Sequence, residues 1–260
     1  MRLATRSWGE KGRPLAVLVH GVSASSRTWW WVGPWFAQKG WRAVAVDLRG
    51  HGDSPRAAYG LTLDDLTEDL HEMALGLLGP ARRMDVLLGH SLGTLVALEL
   101  CEEHSDLVGR LVLEEPPGSE NHDFDEVASM VESDVARARE APEKTKREQL
   151  EENPSWTEED AASNIASLRD CDAGPIAEMM RDDLRYELSV LVGSIEIPTL
   201  LILGSEAQGS ALPEPERTAV ENVLRRGSRV ETFEAGHGVH REDYEGYVRL
   251  LGDWLREPGH

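Results

Sequence analysis

The pentapeptide Gly89-His90-Ser91-Leu92-Gly93 follows the apolar run Met84-Asp85-Val86-Leu87-Leu88 and opens an apolar, helix-like segment. A serine hydroxyl is a poor nucleophile unless the backbone holds it proud of its neighbours, beside a base. A strand that turns sharply into a helix achieves this, at the cost of a strained turn. Glycine at positions 89 and 93 removes side chains that would collide where strand and helix approach. The helix start leaves backbone N–H groups free and carries partial positive charge beside the reacting oxygen. Ser91 is therefore the candidate nucleophile.

Two other segments offer the groups such a serine needs. Glu234-Ala235-Gly236-His237-Gly238 follows the strand-like Arg229–Phe233. A histidine in a glycine-flanked loop after a late strand can reach the serine as general base, and the chain order serine, acid, histidine suits this turn. His20-Gly21-Val22 ends the apolar run Leu15–Val19. The N–H of Val22, with that of Leu92, forms a two-donor oxyanion hole for charge that appears only in the transition state.

The elements that position these residues are legible as apolar runs of strand length: Leu15–Val19, Ala43–Leu48, Asp85–Leu88, Leu111–Leu113, Thr199–Leu203 and Arg229–Phe233. Helix-length segments separate them. The alternation predicts an α/β fold, a mostly parallel doubly wound sheet. Leu3–Trp8 adds an antiparallel edge strand. Thr62-Leu63-Asp64-Asp65 starts a helix, in which Leu63, Leu66, Leu70, Met73 and Leu77 repeat at helical spacing and which Gly79-Pro80 stops. Residues 118–194 break the rhythm. They are rich in Glu, Asp, Arg and Ala and read as three or four helices, with a break and a fresh cap at Asn153-Pro154-Ser155-Trp156-Thr157-Glu158. The expected organisation is a core of residues 1–117 and 195–260 with a helical cap, 118–194, inserted over the carboxyl ends of the strands, where ligands bind in open α/β sheets. Met130, Trp156, Met179 and Met180 are the candidate substrate-binding residues of that cap, with plain packing as the alternative.

The chain has 260 residues, enough for one domain with a substantial core, and a formal net charge of −20. That charge opposes nucleic acid and anionic membranes. The two cysteines, Cys101 and Cys171, have no metal-like spacing. Met1-Arg2-Leu3-Ala4-Thr5-Arg6 lacks the apolar segment of a signal peptide, which points to a cytoplasmic protein.

Taken together, four motifs resemble those of the α/β-hydrolase superfamily: His20-Gly21, Asp47-Leu48-Arg49-Gly50-His51-Gly52-Asp53-Ser54, Gly89–Gly93 and Gly236-His237. The resemblance covers nearly the whole chain. It implies the fold and a serine nucleophile, but no particular substrate. The chain departs from the family pattern at the triad acid. Members usually carry an aspartate three residues beyond the glycine that follows the strand here read as Thr199–Leu203, and that position holds Ala207. Glu206 is one residue away. Some members place the acid after the preceding strand, among them certain haloalkane dehalogenases and the zearalenone lactone hydrolases, and in the latter the glutamate falls where Glu115 stands. Strand alternation sets Leu111, Leu113 and Glu115 on one side and Val112 and Glu114 on the other. Glu115 is thus the expected acid, with Glu206, Glu114 and a degraded triad as alternatives.

The expected activity is a serine hydrolase of a small-molecule carboxylic ester or lactone, acting through an acyl-enzyme without metal or organic cofactor. The competing expectations are a ligand receptor on the same fold, and a lyase or acyltransferase of secondary metabolism using the same triad. Monomer and homodimer are both compatible with the sequence.

Overall fold

A computed structural model describes residues 1–78, 83–119 and 123–257; the helix stop read at Gly79-Pro80 lies outside them. Seven strands form one sheet: β1 (Thr5–Trp8), β2 (Leu15–Val19), β3 (Arg42–Val46), β4 (Val86–His90), β5 (Leu111–Glu114), β6 (Thr199–Leu203) and β7 (Arg229–Thr232). Their spatial order is β1-β3-β2-β4-β5-β6-β7. Only β1 runs antiparallel, pairing with β3 so that Thr5 faces Val46. The neighbours from β3 to β7 are all parallel. Strands β2, β4, β5 and β6 are buried along their whole length, which is why they read as unbroken apolar runs rather than as alternating ones.

Helices cover both faces. Val17, Val19, Leu87 and Leu113 point to a core shared with α2 (Leu63–Leu78) and α3 (Leu92–Glu103). Ala16, Leu18, Leu88 and Val112 point the other way. There they meet α1 (Val32–Gln38) and, beyond the helices named next, the C-terminal helix Tyr244–Arg256. Between β5 and β6 the described residues form five helices, where the sequence suggested three or four: α4 (Phe124–Glu140), α5 (Pro142–Glu152), α6 (Glu158–Arg169), α7 (Ala173–Asp182) and α8 (Leu188–Ser194). The break before α6 is closed by reciprocal bonds, Thr157 Oγ1 accepting from the Asp160 N–H and Asp160 Oδ2 from the Thr157 N–H. Trp30 Nε1 donates to Asp160 (2.9 Å), the Ser25 and Ser167 hydroxyls bond at 2.6 Å, and Arg27 pairs with Asp170 (2.9 Å), tying these helices to the loop after β2. After β6 follow α9 (Glu216–Val223), then β7, α10 (Val239–Glu242) and α11 (Tyr244–Arg256).

The turn from β4 into α3 passes so close to β2 that Gly93 admits no side chain. A Cβ there would lie 2.5 Å from the Val19 carbonyl oxygen and 2.6 Å from that of His20, both rigid backbone atoms. At Gly89 a Cβ would lie 2.3 Å from the Gly93 carbonyl oxygen. Gly93→Ala is expected to cost about 1–3 kcal/mol through overpacking, read as a lowered urea midpoint; an unchanged midpoint would contradict the close approach.

A buried polar knot fixes the far side of this turn. Glu114, the last residue of β5, is fully buried and accepts from His240 Nδ1 (2.8 Å) and from the His240 N–H (2.9 Å). Burial pushes the Glu114 carboxyl up, but the charge and hydrogen bonds of His240 outweigh it and hold it down to about 2. A carboxylate whose folded pKa lies below its unfolded value stabilises the fold above that unfolded value and loses the effect as pH falls. Glu114→Gln should therefore lower stability at pH 7 by roughly 3 kcal/mol. The gap from the parent protein should shrink as pH drops from 4.5 toward about 2. Guanidinium titrations across that range measure it, and a gap independent of pH would refute the pairing.

Candidate active site

Ser91 sits at the junction of β4 and α3 with φ 51° and ψ −123°, a conformation that side chains other than glycine rarely adopt. Its N–H donates to the Glu114 carbonyl (3.0 Å), and its own carbonyl accepts from the Thr94 N–H (2.8 Å) and Thr94 Oγ1 (2.6 Å). These bonds hold the strained turn from both sides. Among the described residues the Ser91 hydroxyl has no hydrogen-bond partner, and it opens onto a cavity of about 740 Å³ that Val22, Trp156, His237 and Arg241 also line. A serine–imidazole bond often tightens only in the substrate complex.

His237 follows β7 in a loop pinned by Glu242, whose carboxylate accepts from the Gly236 N–H (2.7 Å) and the Gly238 N–H (3.1 Å). Its Nδ1 faces Glu115 Oε2 at 3.2 Å, which leaves Nε2 for the cavity. The Glu115 carboxylate is completely buried, yet it is surrounded by donors: the Gly204 N–H (2.6 Å), Ser210 Oγ (2.7 Å) and the Ala211 N–H (2.7 Å). Burial pushes this carboxyl up, but the bonds from His237, Ala211 and Gly204 win and hold it below the usual carboxylate range. The loop after β6, where the family pattern has its acid, here supplies donors to the carboxylate of Glu115, the residue that follows β5. Glu206 is exposed and accepts from the Glu214 N–H.

Strand alternation does not carry through to Glu115. Strand β5 ends at Glu114, and Glu115 has φ 52°, in the left-handed region. Both glutamates are buried, and each faces its own histidine, Glu115 with His237 and Glu114 with His240. The sequence reading missed His240. The signal was present as a pair of adjacent glutamates and a pair of histidines three residues apart.

The N–H groups of Val22 and Leu92 have no protein acceptor among the described residues, and Leu92 is the first residue of α3. The Val22 loop is held by buried polar side chains. His20 Nδ1 donates to the Gly21 carbonyl (2.7 Å) while Nε2 accepts from the Leu48 N–H (3.0 Å). Asp47 accepts from the Ser26 N–H (2.6 Å) and the Asp53 N–H (3.0 Å). His51 Nε2 accepts from the Ser23 N–H (3.3 Å), and burial pushes His51 down to about 3, so it stays neutral. At Gly21 a Cβ would lie 2.9 Å from both His90 Nδ1 and Ser91 Cβ, so only glycine lets the loop approach the turn.

Trp156 and Met130 line the Ser91 cavity. Met179 and Met180 do not. They pack in the core with Ile176 and Ala177 on the buried face of α7, and Met180 also borders a separate cleft beside Phe124 and Tyr186.

His90, Glu114 and His240 are the one group of metal-type ligands found together among the described residues, their ligand atoms within 4.8 Å of one another. Donors around a tetrahedral zinc at bonds of about 2.1 Å lie roughly 3.4 Å apart. The spread is wider here, and one atom of each side chain already has a protein partner, His90 Nε2 donating to the His237 carbonyl (2.8 Å) and Glu114 Oε1 accepting from His240 Nδ1, while His90 Nδ1, Glu114 Oε2 and His240 Nε2 have none among the described residues. Burial keeps His90 neutral by lowering its pKa well below the ordinary value. The trio fits a hydrogen-bonded brace between the serine turn and the histidine loop.

Comparison with known proteins agrees with this architecture. The alpha/beta hydrolase family model matches residues 16–250. The chain is 35% identical over 119 residues to epoxide hydrolase 3 of Xenopus tropicalis, a stretch covering 45% of this chain and 31% of that enzyme. It is 26% identical over 280 residues to the 2-succinyl-6-hydroxy-2,4-cyclohexadiene-1-carboxylate synthase of Escherichia coli (strain HS), covering 95% of this chain and 96% of that one. The solved structure of N-formylmaleamic acid deformylase from Pseudomonas putida S16 has a TM-score of 0.80 at 20% identity, over 95% of this chain and 94% of the other. Esterases and an enol-lactonase share the same shape. The family match supports a hydrolase. Because the family match runs from β2 through the Ser91 turn and the His237 loop into α11, the chain belongs to the alpha/beta hydrolase family.

Proposed function

We propose that the protein is a serine hydrolase that opens a small-molecule carboxylic ester or lactone through an acyl-enzyme. The observation that carries this reading is the buried, charged Glu115 carboxylate 3.2 Å from His237 Nδ1, with His237 and the strained Ser91 lining one cavity. Glu115 fixes the imidazole tautomer with its basic Nε2 toward the cavity and stabilises the imidazolium. Ser91 Oγ attacks the carbonyl carbon while His237 takes its proton. The carbonyl oxygen gains negative charge, which the N–H groups of Val22 and Leu92 stabilise. The tetrahedral adduct collapses, and His237 delivers the proton to the leaving alkoxide. Water, deprotonated by His237, then attacks the acyl-serine, and the acid leaves with Ser91 restored. In a lactone the leaving alkoxide remains tethered, so one hydroxy acid is released.

The helices of residues 118–194 act as the cap that selects the substrate, since Met130 on α4 and Trp156 just before α6 line the cavity that Ser91 and His237 also line. A second reading, a synthase or lyase that uses the same base, is favoured by the full-length likeness to the Escherichia coli synthase. Product mass separates the two, because hydrolysis adds one water to the substrate and elimination adds none.

Ser91→Ala is expected to leave the fold intact and abolish labelling by a fluorophosphonate; labelling that survives would put the nucleophile elsewhere. Glu115→Gln should lower kcat for a p-nitrophenyl ester by roughly 10⁴-fold, as loss of the orienting acid does in other triads. Glu206→Gln should change it little. The reverse order of effects would move the acid to the loop after β6.

A further inference from the structure

Arg241 is placed where a substrate anion would be read. It lies on α10, four residues after His237, and lines the same cavity as Ser91. Its guanidinium is clamped on two sides. One nitrogen donates to Thr28 Oγ1 (3.2 Å), and the group lies over the Trp156 ring with 4.8 Å from Cζ to the centroid. That is its whole set of polar contacts among the described residues: no carboxylate comes within 4.0 Å, and its other N–H donors are unpaired. The Trp156 indole N–H also lacks an acceptor.

A partly buried guanidinium without a counter-ion is costly, and this chain has no shortage of acids: 47 Asp and Glu against 27 Lys and Arg. Elsewhere its arginines use them, as Arg49 does with Asp65 and Asp69 and Arg27 with Asp170. The acids that line the Arg241 cavity are engaged or remote. Glu242 binds the Gly236 and Gly238 N–H groups, Asp134 pairs with Arg137 (3.3 Å), and Glu152 is exposed. Burial lowers the Arg241 pKa, and the fields of Asp160, Glu114 and Glu242 oppose that, so the group remains cationic at neutral pH. Its position is held by neutral partners, which leaves the charge available.

We infer that Arg241 is a specificity residue that binds a carboxylate on the substrate, so that the scissile ester or lactone belongs to a molecule bearing a free acid. This rests on the serine-hydrolase reading for its scissile bond. The planar guanidinium, held flat against Trp156, presents donors in the geometry a carboxylate accepts, with little ordering left to be done on binding. A monoanion fits better than a phosphate dianion, because one cation offers one charge and Asp134, Glu152 and Glu242 line the same cavity.

Two arms test the inference. In the first, kcat/KM is measured for p-nitrophenyl hemisuccinate and for p-nitrophenyl butyrate. The ratio of the two should fall at least tenfold in Arg241→Met and recover in part in Arg241→Lys, which restores charge without the planar fork. A ratio that stays constant while both values fall means that Arg241 only supports Trp156, and it overturns the proposal. The second arm needs no turnover. Monomethyl glutarate and dimethyl glutarate are titrated by calorimetry into Ser91→Ala. The monoacid should bind at least tenfold more tightly, and Arg241→Met should erase the preference. Equal binding, or a preference that survives Arg241→Met, refutes carboxylate recognition. If neither ester is turned over by the parent protein but the binding preference holds, the hydrolase reading fails and the anion site stands.

Discussion

Two adjacent carboxylates are buried at the end of a central strand, and the rest of the site follows from the need to satisfy them. A buried carboxylate without partners is disfavoured by several kcal/mol. Side chains of consecutive residues would normally diverge to opposite faces of the sheet. Here the strand ends between them, and the left-handed turn at Glu115 (φ 52°) aims each carboxylate at a different part of the chain that follows β7. Glu115 takes His237, and Glu114 takes the ring and backbone of His240. The histidine loop is thereby fixed at two points to the strand beside the one that carries Ser91. His90 closes the frame by donating to the His237 carbonyl. Ser91 and His237 are therefore held by hydrogen bonds already made without substrate, and in the proposed hydrolase that is the form of preorganisation on which electrostatic catalysis depends.

That frame stores strain in a small region. The non-glycine residues with positive φ among the described residues are Ser23, Ser91 and Glu115. Ser23 and Ser91 line the cavity, and Glu115 supports its histidine. Each such residue costs on the order of 1–3 kcal/mol and persists only where its surroundings over-determine it. Here the surroundings are identifiable. His51 accepts from the Ser23 N–H, Glu114 and Thr94 bond the Ser91 backbone, and three donors besides His237 converge on Glu115. The unstrained, fully buried strands behind them offset the cost.

The sheet was legible because parallel strands buried on both faces read as near-continuous apolar runs, as Leu15–Val19 and Leu200–Leu203 do. The serine turn was legible because close approach of strand and helix leaves only glycine at 89 and 93. Ala207, a gap in the family pattern, pointed to the carboxylate that the fold sets beside His237, but the alternation that supported Glu115 presumed a strand one residue longer than the one that forms. Periodicity says which residues share a face, not where a strand stops. For the same reason Met179 and Met180 could not be told from pocket residues, since a helix stripe looks alike whether it faces a core or a cavity. His240 and Arg241 were invisible for another reason: their partners, Glu114 and Trp156, lie far away in sequence.

The net charge of −20 and the unpaired Arg241 act on different scales. Surface charge repels an anion from a distance, but salt screens it within about 8 Å at physiological ionic strength. A guanidinium at the cavity wall acts over hydrogen-bond distance, well inside that screening length, where a charge-assisted contact is about twice as strong as a neutral one. A small acid that reaches the cavity mouth has therefore passed most of the repulsion. Inside, it meets one cation among otherwise committed or exposed acids. That surface charge does not prevent the site from reading a single carboxylate. It makes that reading depend on one residue, because no second cation lines the cavity among the described residues.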